Sequence, residues 1–292
     1  MQDEFLNTDF YEFLLLDPLT KVYSAVDRYL LAKWEKYAFL LIDKFAIHSS
    51  SFFHLSKGII EHRKSGKTIK AYGYDIFTVN STFRTIIETY ATFNHIYVAP
   101  KTKEEQKFKY LLWRIDGLNE KQKYNFQGTN NIGINEILEN DRVKLEQAKI
   151  EAENSNFYKN CDSRELLKIY DLKKNKFCWK FQIESGKIKP MTIMSLIEHT
   201  CRTNGFINSY RYSSTHTHSS YLSIEEFERY RGNPIPDSYV SPLIKLAIFI
   251  TSMIIYDICI INKQARETFK TLPFEVQKFI NGITESIKTD SH

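Results

Sequence analysis

Pro242 to Ile261, with the sequence PLIKLAIFITSMIIYDICII, is the most apolar segment of this 292-residue chain and the one that decides its fold. Lys245 and Asp257 interrupt the segment, so its uncharged run extends only from Leu246 to Tyr256. A helix that crosses a membrane needs roughly 20 predominantly apolar residues. We therefore predict a buried central helix here rather than a membrane span.

The composition favours an all-α protein. Hydrophobic residues make up 42% of the chain and aromatic residues 14%, which is enough for a large buried core. Glycine occurs only 10 times and proline 7 times, and so few chain breakers favour long helices over many short strands. We predict a multi-helix bundle that forms a single helical domain over residues 1–292. Residues 1–66 would hold a long N-terminal helix or helix pair, and residues 67–292 the main bundle.

The N-terminal part has the pattern of a very long helix. Asp17-Pro18 is a typical helix start, because Asp can cap the first turn and Pro suits the first helical position. Apolar residues then recur at helical spacing from Leu19 to about Arg63. This pattern predicts one helix, or two helices joined near His48–Ser51, ended by Ser65-Gly66.

Three later segments complete the predicted architecture. Residues 74–98 have a broad apolar stripe and predict a buried helix. Residues 134–154 have a thin stripe, which predicts a helix that is exposed or leans on a partner and makes a homodimer plausible. In residues 176–189, apolar and polar residues alternate roughly at every second position around Ser185-Gly186, which predicts a minor β-hairpin.

Charge and motif content restrict the possible functions. The 40 basic and 35 acidic side chains give a net charge of +5, which permits an anionic partner without requiring one. No basic start followed by an apolar run opens the chain, so we expect no signal peptide and a cytoplasmic location. The four cysteines form no CxxC pair, which argues against structural zinc. P-loop, GxGxxG, GxSxG and HExxH motifs are absent, so no cofactor is expected.

The segment Phe206 to Ser220, FINSYRYSSTHTHSS, concentrates groups that can bind or attack a phosphate. On a helix, at about 100° per residue, Arg211 and His218 fall on nearly the same face. Ser214 and Thr215 lie between them on that face, whereas His216 points well away. An arginine can hold a phosphate with forked donors, and a histidine can exchange a proton with a ribose hydroxyl or a leaving oxygen. These two roles suffice for metal-free cleavage of RNA.

Arg211 followed by His216 or His218 resembles the R-x(4-6)-H motif of the HEPN superfamily of ribonucleases. The resemblance implies a helical and usually dimeric protein, in which two such motifs from two subunits face each other and form one RNA-cutting site. It implies that Arg211 holds the scissile phosphate and that His216 or His218 is the acid or base.

A second resemblance covers residues from about 55 to 262. The pair Arg84-Thr-Ile-Ile-Glu88, followed by the spacing Tyr210-x-x-Ser213-x-x-His216, is similar to motifs of an uncharacterised helical family of bacterial proteins. In that family an R-x3-E helix and a Y-x2-S-x2-H helix recur in this order. The resemblance implies that Arg84, Glu88, Ser213 and His216 lie near one another inside a bundle.

Two hypotheses of function follow from these residues. The first is a HEPN-like, metal-independent endoribonuclease of the toxin or antiviral-defence type, with catalytic residues Arg211, His216 and His218. Arg84, Glu88, Tyr210, Ser213 and Ser214 would be supporting or binding residues. The alternative is a non-catalytic helical module that binds a protein, for example a partner in a defence system, or a small ligand. In that case Arg84, Glu88, Ser213 and His216 form a structural cluster. A metal site of Glu88, His216 and His218 is disfavoured, because histidines two apart on a helix face opposite ways.

Overall fold

The structure is a computed structural model that describes residues 11–62, 68–72, 75–123, 132–201, 204–218, 220–230 and 236–289. It confirms an all-α, multi-helix protein. The α-helices are α1 Asp17–Ser24, α2 Lys33–Leu55, α3 Ile76–Phe93, α4 Lys103–Gln122, α5 Ile132–Glu153, α6 Asn156–Asn160, α7 Ser163–Leu166, α8 Ile193–Cys201, α9 Asn204–Thr217, α10 Tyr221–Tyr230, α11 Asp237–Ile261, α12 Lys263–Lys270 and α13 Phe274–Thr289. The strands are β1 Ile59–His62, β2 Thr68–Tyr72, β3 Tyr170–Asp171, β4 Lys176–Phe177, β5 Phe181–Glu184 and β6 Lys187–Pro190.

The chain divides into two compact units. The first unit combines residues 1–94 with residues 197–292, and the second contains residues 95–196. The expectation of a single helical domain over residues 1–292 stays a prediction.

Helix α11 is the central helix of the first unit, as its apolar sequence predicts. It packs against α1, α3, α12 and α13. Its inward residues have no exposed surface, and these include Ala247, Ile248, Ile250, Ile254, Ile255 and Ile258. The polar edge of the helix is also bonded, because Tyr90 Oη and Asn94 Nδ2 donate to Asp257 Oδ2 at 2.9 and 2.7 Å. Ser238–Ile261 has the length and apolar content of a membrane-crossing helix, but 67% of its most apolar window is buried inside the protein. Packing within the first unit therefore accounts for its apolar character.

The N-terminal region differs from the long helix predicted for residues 19–63. The helix breaks at residues 25–32, where Asp27 caps a short 3-10 turn at Arg28–Leu30. Both terminal nitrogens of Arg28 donate to Asp43, at 2.6 and 2.7 Å. These bonds hold the turn that follows α1 against α2. This pairing between distant residues leaves no periodic signal in the sequence.

The break predicted near His48–Ser51 is wrong, because α2 continues through it to Leu55. Ser51 Oγ donates to the Ile47 carbonyl oxygen one turn earlier, a bond that accommodates serine within a helix. After α2 the chain turns at Gly58, whose φ of 82° favours glycine, and then forms the β1–β2 pair instead of more helix. The predicted stop at Ser65-Gly66 lies outside the described residues.

Two later boundaries also differ from the sequence prediction. Helix α11 begins at Asp237, five residues before the apolar segment that starts at Pro242, so Pro242 lies inside the helix. Ser223 and Glu226 have the spacing of a capping box, but α10 begins at Tyr221 with Ser220 as its cap, whose Oγ accepts from Ser223 N. Pro242 is the sixth residue of α11 and lacks the N–H that would bond to the Ser238 carbonyl oxygen, so the first turn of the helix has one backbone bond fewer.

The second unit is built on α4 and α5 and on two small antiparallel strand pairs, β3–β4 and β5–β6. Phe108 of α4 stacks on Phe157 of α6, with ring centroids 4.6 Å apart. Lys109 is buried beside Glu105, 3.0 Å away, and burial lowers its pKa although Glu105 opposes that shift. Helix α5 exposes Val143 and Ile150, as its thin apolar stripe predicts.

The predicted hairpin exists as β5–β6, over residues 181–190 instead of 176–189. Ser185 and Gly186 form its turn, with φ values of 49° and 77°. Two successive positive φ angles match the twist of the strands in a two-residue hairpin. The short β3–β4 and β1–β2 pairs were not predicted from the sequence.

Candidate functional site

Helices α3, α9 and α10 of the first unit carry the residues that the sequence singled out. Helix α9 packs on α3, and α10 follows α9 after a short turn. Asp75 caps α3 by accepting from Phe77 N and Thr78 N, and this start places Asn80, Arg84 and Glu88 on successive turns toward α9. Because α3 is otherwise strongly apolar, its polar side chains gather where α9 meets it.

Arg84, Glu88 and Tyr210 form the first polar contact between α3 and α9. Arg84 Nε donates to Glu88 Oε1 at 2.9 Å, and Tyr210 Oη donates to the same oxygen at 2.7 Å. The Arg84 guanidinium carbon also lies 5.3 Å from the Tyr210 ring centroid. Burial raises the pKa of Tyr210, and Glu88 raises it further, so the hydroxyl keeps its proton and remains a donor.

Ser213 and Asn80 form the second contact. Ser213 Oγ donates to Asn80 Oδ1 at 2.8 Å, and Asn80 Nδ2 donates to the Ile76 carbonyl oxygen at 2.8 Å. Both residues are buried. The two groups satisfy each other without solvent, which fixes the axial position of α9 on α3.

His216 lies in a closed pocket between α9 and α10. Its side chain is only 1% exposed, and Nε2 lies 3.0 Å from Glu226 Oε2. The Tyr212 ring packs edge-on against the imidazole with centroids 4.6 Å apart, and Phe77 lies at 6.1 Å. Among the described residues neither ring nitrogen has a partner in hydrogen-bond geometry, so the contact with Glu226 is electrostatic.

This environment keeps the His216 imidazole neutral. Burial lowers the pKa of His216 below its usual 6.5, and the Glu226 carboxylate opposes only part of that shift. Tyr212 Oη donates to the same Glu226 oxygen at 2.8 Å. Burial, Tyr239 and Glu226 together raise the pKa of Tyr212, so the phenol keeps its proton.

Sequence reasoning missed Glu226 and Asn80 as partners of α9. Ser223 and Glu226 have the S-x-x-E spacing of a capping box, which would place the Glu226 carboxylate at the start of α10. In the structure Glu226 instead faces α9 and joins Tyr212 and His216. Its spacing from Ser223 carried the only local signal, and that signal indicated a different role.

Arg211 and His218 lie on the outside of the same region. Both are exposed, and among the described residues neither side chain has a hydrogen-bond or ion-pair partner. Arg211 lies on α9, whereas His218 lies in the turn that follows the last residue of α9, Thr217, so the shared helical face stays a prediction. Ser214 is half-buried beside them, and Thr215 Oγ1 donates back to the Tyr212 carbonyl oxygen.

Of the four residues that the sequence grouped, Arg84 and Glu88 bond to each other. Tyr210 completes the Arg84–Glu88 contact, and Ser213 and His216 each have a different partner.

Searches of protein-family models, of characterised proteins and of solved structures found no match to this chain. Within the described ranges, no group of three or more His, Cys, Asp or Glu side chains is placed to hold a metal ion. Because Ser213 and His216 are buried whereas Arg211 and His218 are exposed, the surface around Arg211 and His218 is open to a ligand in solution.

Proposed function

We propose that this chain is a HEPN-like, metal-independent endoribonuclease of the bacterial toxin or antiviral-defence type, acting in the cytoplasm. The observation that carries the proposal is that Arg211 on α9 and His218 in the turn directly after α9 are both exposed, without partners among the described residues. An unpaired guanidinium and an accessible imidazole are the groups that metal-free RNA cleavage requires. RNA is the expected polyanionic partner.

The proposed reaction uses each group once. Arg211 holds the scissile phosphate through two parallel donors. His218 takes the proton of the neighbouring ribose 2′-hydroxyl, whose oxygen then attacks the phosphorus. The bond from phosphorus to the 5′ oxygen breaks, which leaves a 2′,3′-cyclic phosphate and a 5′-hydroxyl end. A second proton-transfer group must protonate that leaving oxygen, and His218 of a second copy in a homodimer would supply it.

The contacts between α3 and α9 support this assignment of roles. Tyr210 immediately precedes Arg211 and is bonded to Glu88, and Ser213 follows two residues later and is bonded to Asn80. These two bonds hold the backbone around Arg211 against α3. Arg84, Glu88 and Tyr210 are therefore positioning residues in this proposal, and buried His216 is not the acid or base.

The test compares RNA cleavage by wild type, Arg211→Ala and His218→Ala. Both positions are exposed, so the variants should fold normally. We expect each variant to lose about 10²-fold or more of the cleavage rate. Asn208→Ala, an exposed change on the same helix, should cleave like wild type. If both variants cleave RNA at the wild-type rate, the proposed roles of Arg211 and His218 are wrong.

A non-catalytic helical binding module is the second candidate. It is favoured because Arg84, Glu88, Ser213 and His216 all have partners within the first unit, as the residues of a purely structural cluster would. The same assay separates the two candidates. Folded wild-type protein that leaves RNA intact at every concentration tested would support the binding module.

A further inference from the structure

Helix α10 presents an unusual outward face in the first unit. Tyr221 is 78% exposed and Ile224 is 51% exposed, and at about 100° per residue they share a side of the helix with Glu225 and Glu228. Leu222 is exposed beside them, and exposed Arg229 lies at the edge of this side next to Leu222. We call Tyr221, Leu222, Ile224, Glu225 and Glu228 the acidic face. Large apolar side chains rimmed by charge on a solvent-facing helix are typical of a protein interaction site.

Helix α2 presents the complementary pattern in the same unit. Leu40 and Ile47 are 53% and 64% exposed, and they lie on one side of the helix with Lys33 and Lys44. The opposite side of α2 packs into the core through residues such as Phe45 and Ile42. We call Lys33, Leu40, Lys44 and Ile47 the basic face.

We infer that the acidic face of one copy docks on the basic face of a second copy of this chain. Each face offers apolar side chains that lose water on contact. Glutamates on one face would meet lysines on the other, which attracts the two surfaces and sets their register. Like faces would instead oppose Glu to Glu or Lys to Lys, so charge disfavours pairing of a face with itself.

A contact between two different faces is heterologous. Every copy carries both faces, so each can accept one neighbour on α2 and offer α10 to another. Such contacts form a closed dimer only where two of them fit at once, and otherwise they form rings or chains of copies. Arg211 and His218 belong to neither face, so this inference does not rest on the proposed ribonuclease activity.

The test measures mass in solution with one face blocked at a time. Leu40→Glu adds an acid to the basic face, and Ile224→Lys adds a base to the acidic face. Both replace exposed residues, so circular dichroism should confirm an unchanged fold. We expect wild type to associate, and each variant alone to associate at least about tenfold more weakly. Light scattering coupled to size exclusion, over a concentration series, gives these masses.

Mixing the two variants is the decisive step. Ile224→Lys keeps an intact basic face and Leu40→Glu keeps an intact acidic face, so an equimolar mixture should form a heterodimer and stop at two copies. A contact of either face with itself would give no such rescue. Ile150→Lys on α5 is the matched control, because it also replaces an exposed apolar residue with a charge. It should leave the wild-type mass unchanged.

Three outcomes would overturn the inference. Wild type could remain monomeric up to about 100 µM, the mixture could fail to associate, or Ile150→Lys alone could dissociate the assembly. Charge reversal by Lys44→Glu and Glu228→Lys provides a second pair of variants with the same expected rescue, should either apolar replacement disturb folding. Wild type that stays monomeric and sediments with anionic vesicles would assign the basic face to a lipid surface instead.

Discussion

The hydroxyl of Ser213 on α9 donates to Oδ1 of Asn80 on α3 at 2.8 Å, across 133 residues of sequence. Ser213→Ala would leave that buried acceptor without a donor, and we expect a loss of about 1–3 kcal/mol in the free energy of unfolding. Urea denaturation measures it. The neighbouring Ser214→Ala, at a half-buried position, should change stability by less than about 0.5 kcal/mol. Equal effects of the two substitutions would mean that the Ser213–Asn80 bond contributes nothing of its own.

Tyr210→Phe tests the contact that holds α9 beside Arg211. The variant keeps the ring near the Arg84 guanidinium but removes the hydroxyl that donates to Glu88. Because Glu88 is partly exposed to water, we expect a loss of about 1 kcal/mol rather than the full value of a buried charged bond. Tyr29→Phe, at a side chain that is almost fully exposed, should be neutral. A Tyr210→Phe protein as stable as wild type would contradict this prediction.

His216 should make the protein less stable in mild acid. Its pKa in the folded state is lowered by burial, so below about pH 6.5 the unfolded chain binds the proton first and the free energy of unfolding falls. His216→Gln should remove that part of the pH dependence, measured by urea denaturation between about pH 7.5 and 5. Burial and nearby Lys44 also lower the pKa of His48, so His48→Gln should remove a separate part. An unchanged pH dependence in His216→Gln would show that the imidazole is not held neutral.

His216 in α9 and His218 in the turn after it should contribute differently to the rate of RNA cleavage. His218→Gln should lose about 10²–10⁴-fold in RNA cleavage, because it removes the exposed proton-transfer group. His216→Gln should keep most of the activity, because its imidazole is buried against Glu226. Cleavage of a labelled RNA at neutral pH measures both. Loss of activity only in a folded His216→Gln protein would reverse these roles.

Alanine substitutions at Gly186, in the hairpin turn, and at Gly117, in α4, should have opposite effects on stability. Gly186 has φ 77°, and an added Cβ would meet no atom within 4 Å, so Gly186→Ala should cost about 1–2 kcal/mol through backbone strain alone. Gly117 in α4 has the same open surroundings in ordinary helical geometry. Gly117→Ala should therefore stabilise by about 0.5–1 kcal/mol. Thermal unfolding compares the signs, and a stabilising Gly186→Ala would contradict the turn geometry.

Local sequence patterns predicted the helices and the hairpin better than they predicted the polar contacts between helices. The apolar run in α11, the helical period of α3 and the Ser185-Gly186 turn all reflect forces between residues close in sequence, so they could be recognised directly. The break at residues 25–32 depends on Arg28 meeting Asp43, and no local pattern records that pairing. The chain turn at Gly58 was likewise hidden within a long periodic segment.

The candidate site shows the same division. Helical spacing predicted that His216 points away from Arg211, and His216 is buried whereas Arg211 is exposed. The spacing did not record that α9 ends at Thr217, before His218. The partner of His216 is Glu226, on a different helix, and Tyr210 completes the Arg84–Glu88 pair. Such choices depend on how far one helix slides along another, which side-chain packing decides only in the folded protein.

The division of the first unit between the two ends of the chain bears on how the protein is made. Helix α3 leaves the ribosome early, whereas α9 and α11, which cover it, are translated only after the whole of residues 95–196. Helix α2 is already available to α3, but at about 5–20 residues per second the part of α3 that α9 and α11 cover waits roughly 10–30 s for them. During that interval the nascent chain exposes that part of its apolar surface, and a chaperone that shields it would raise the yield of native protein.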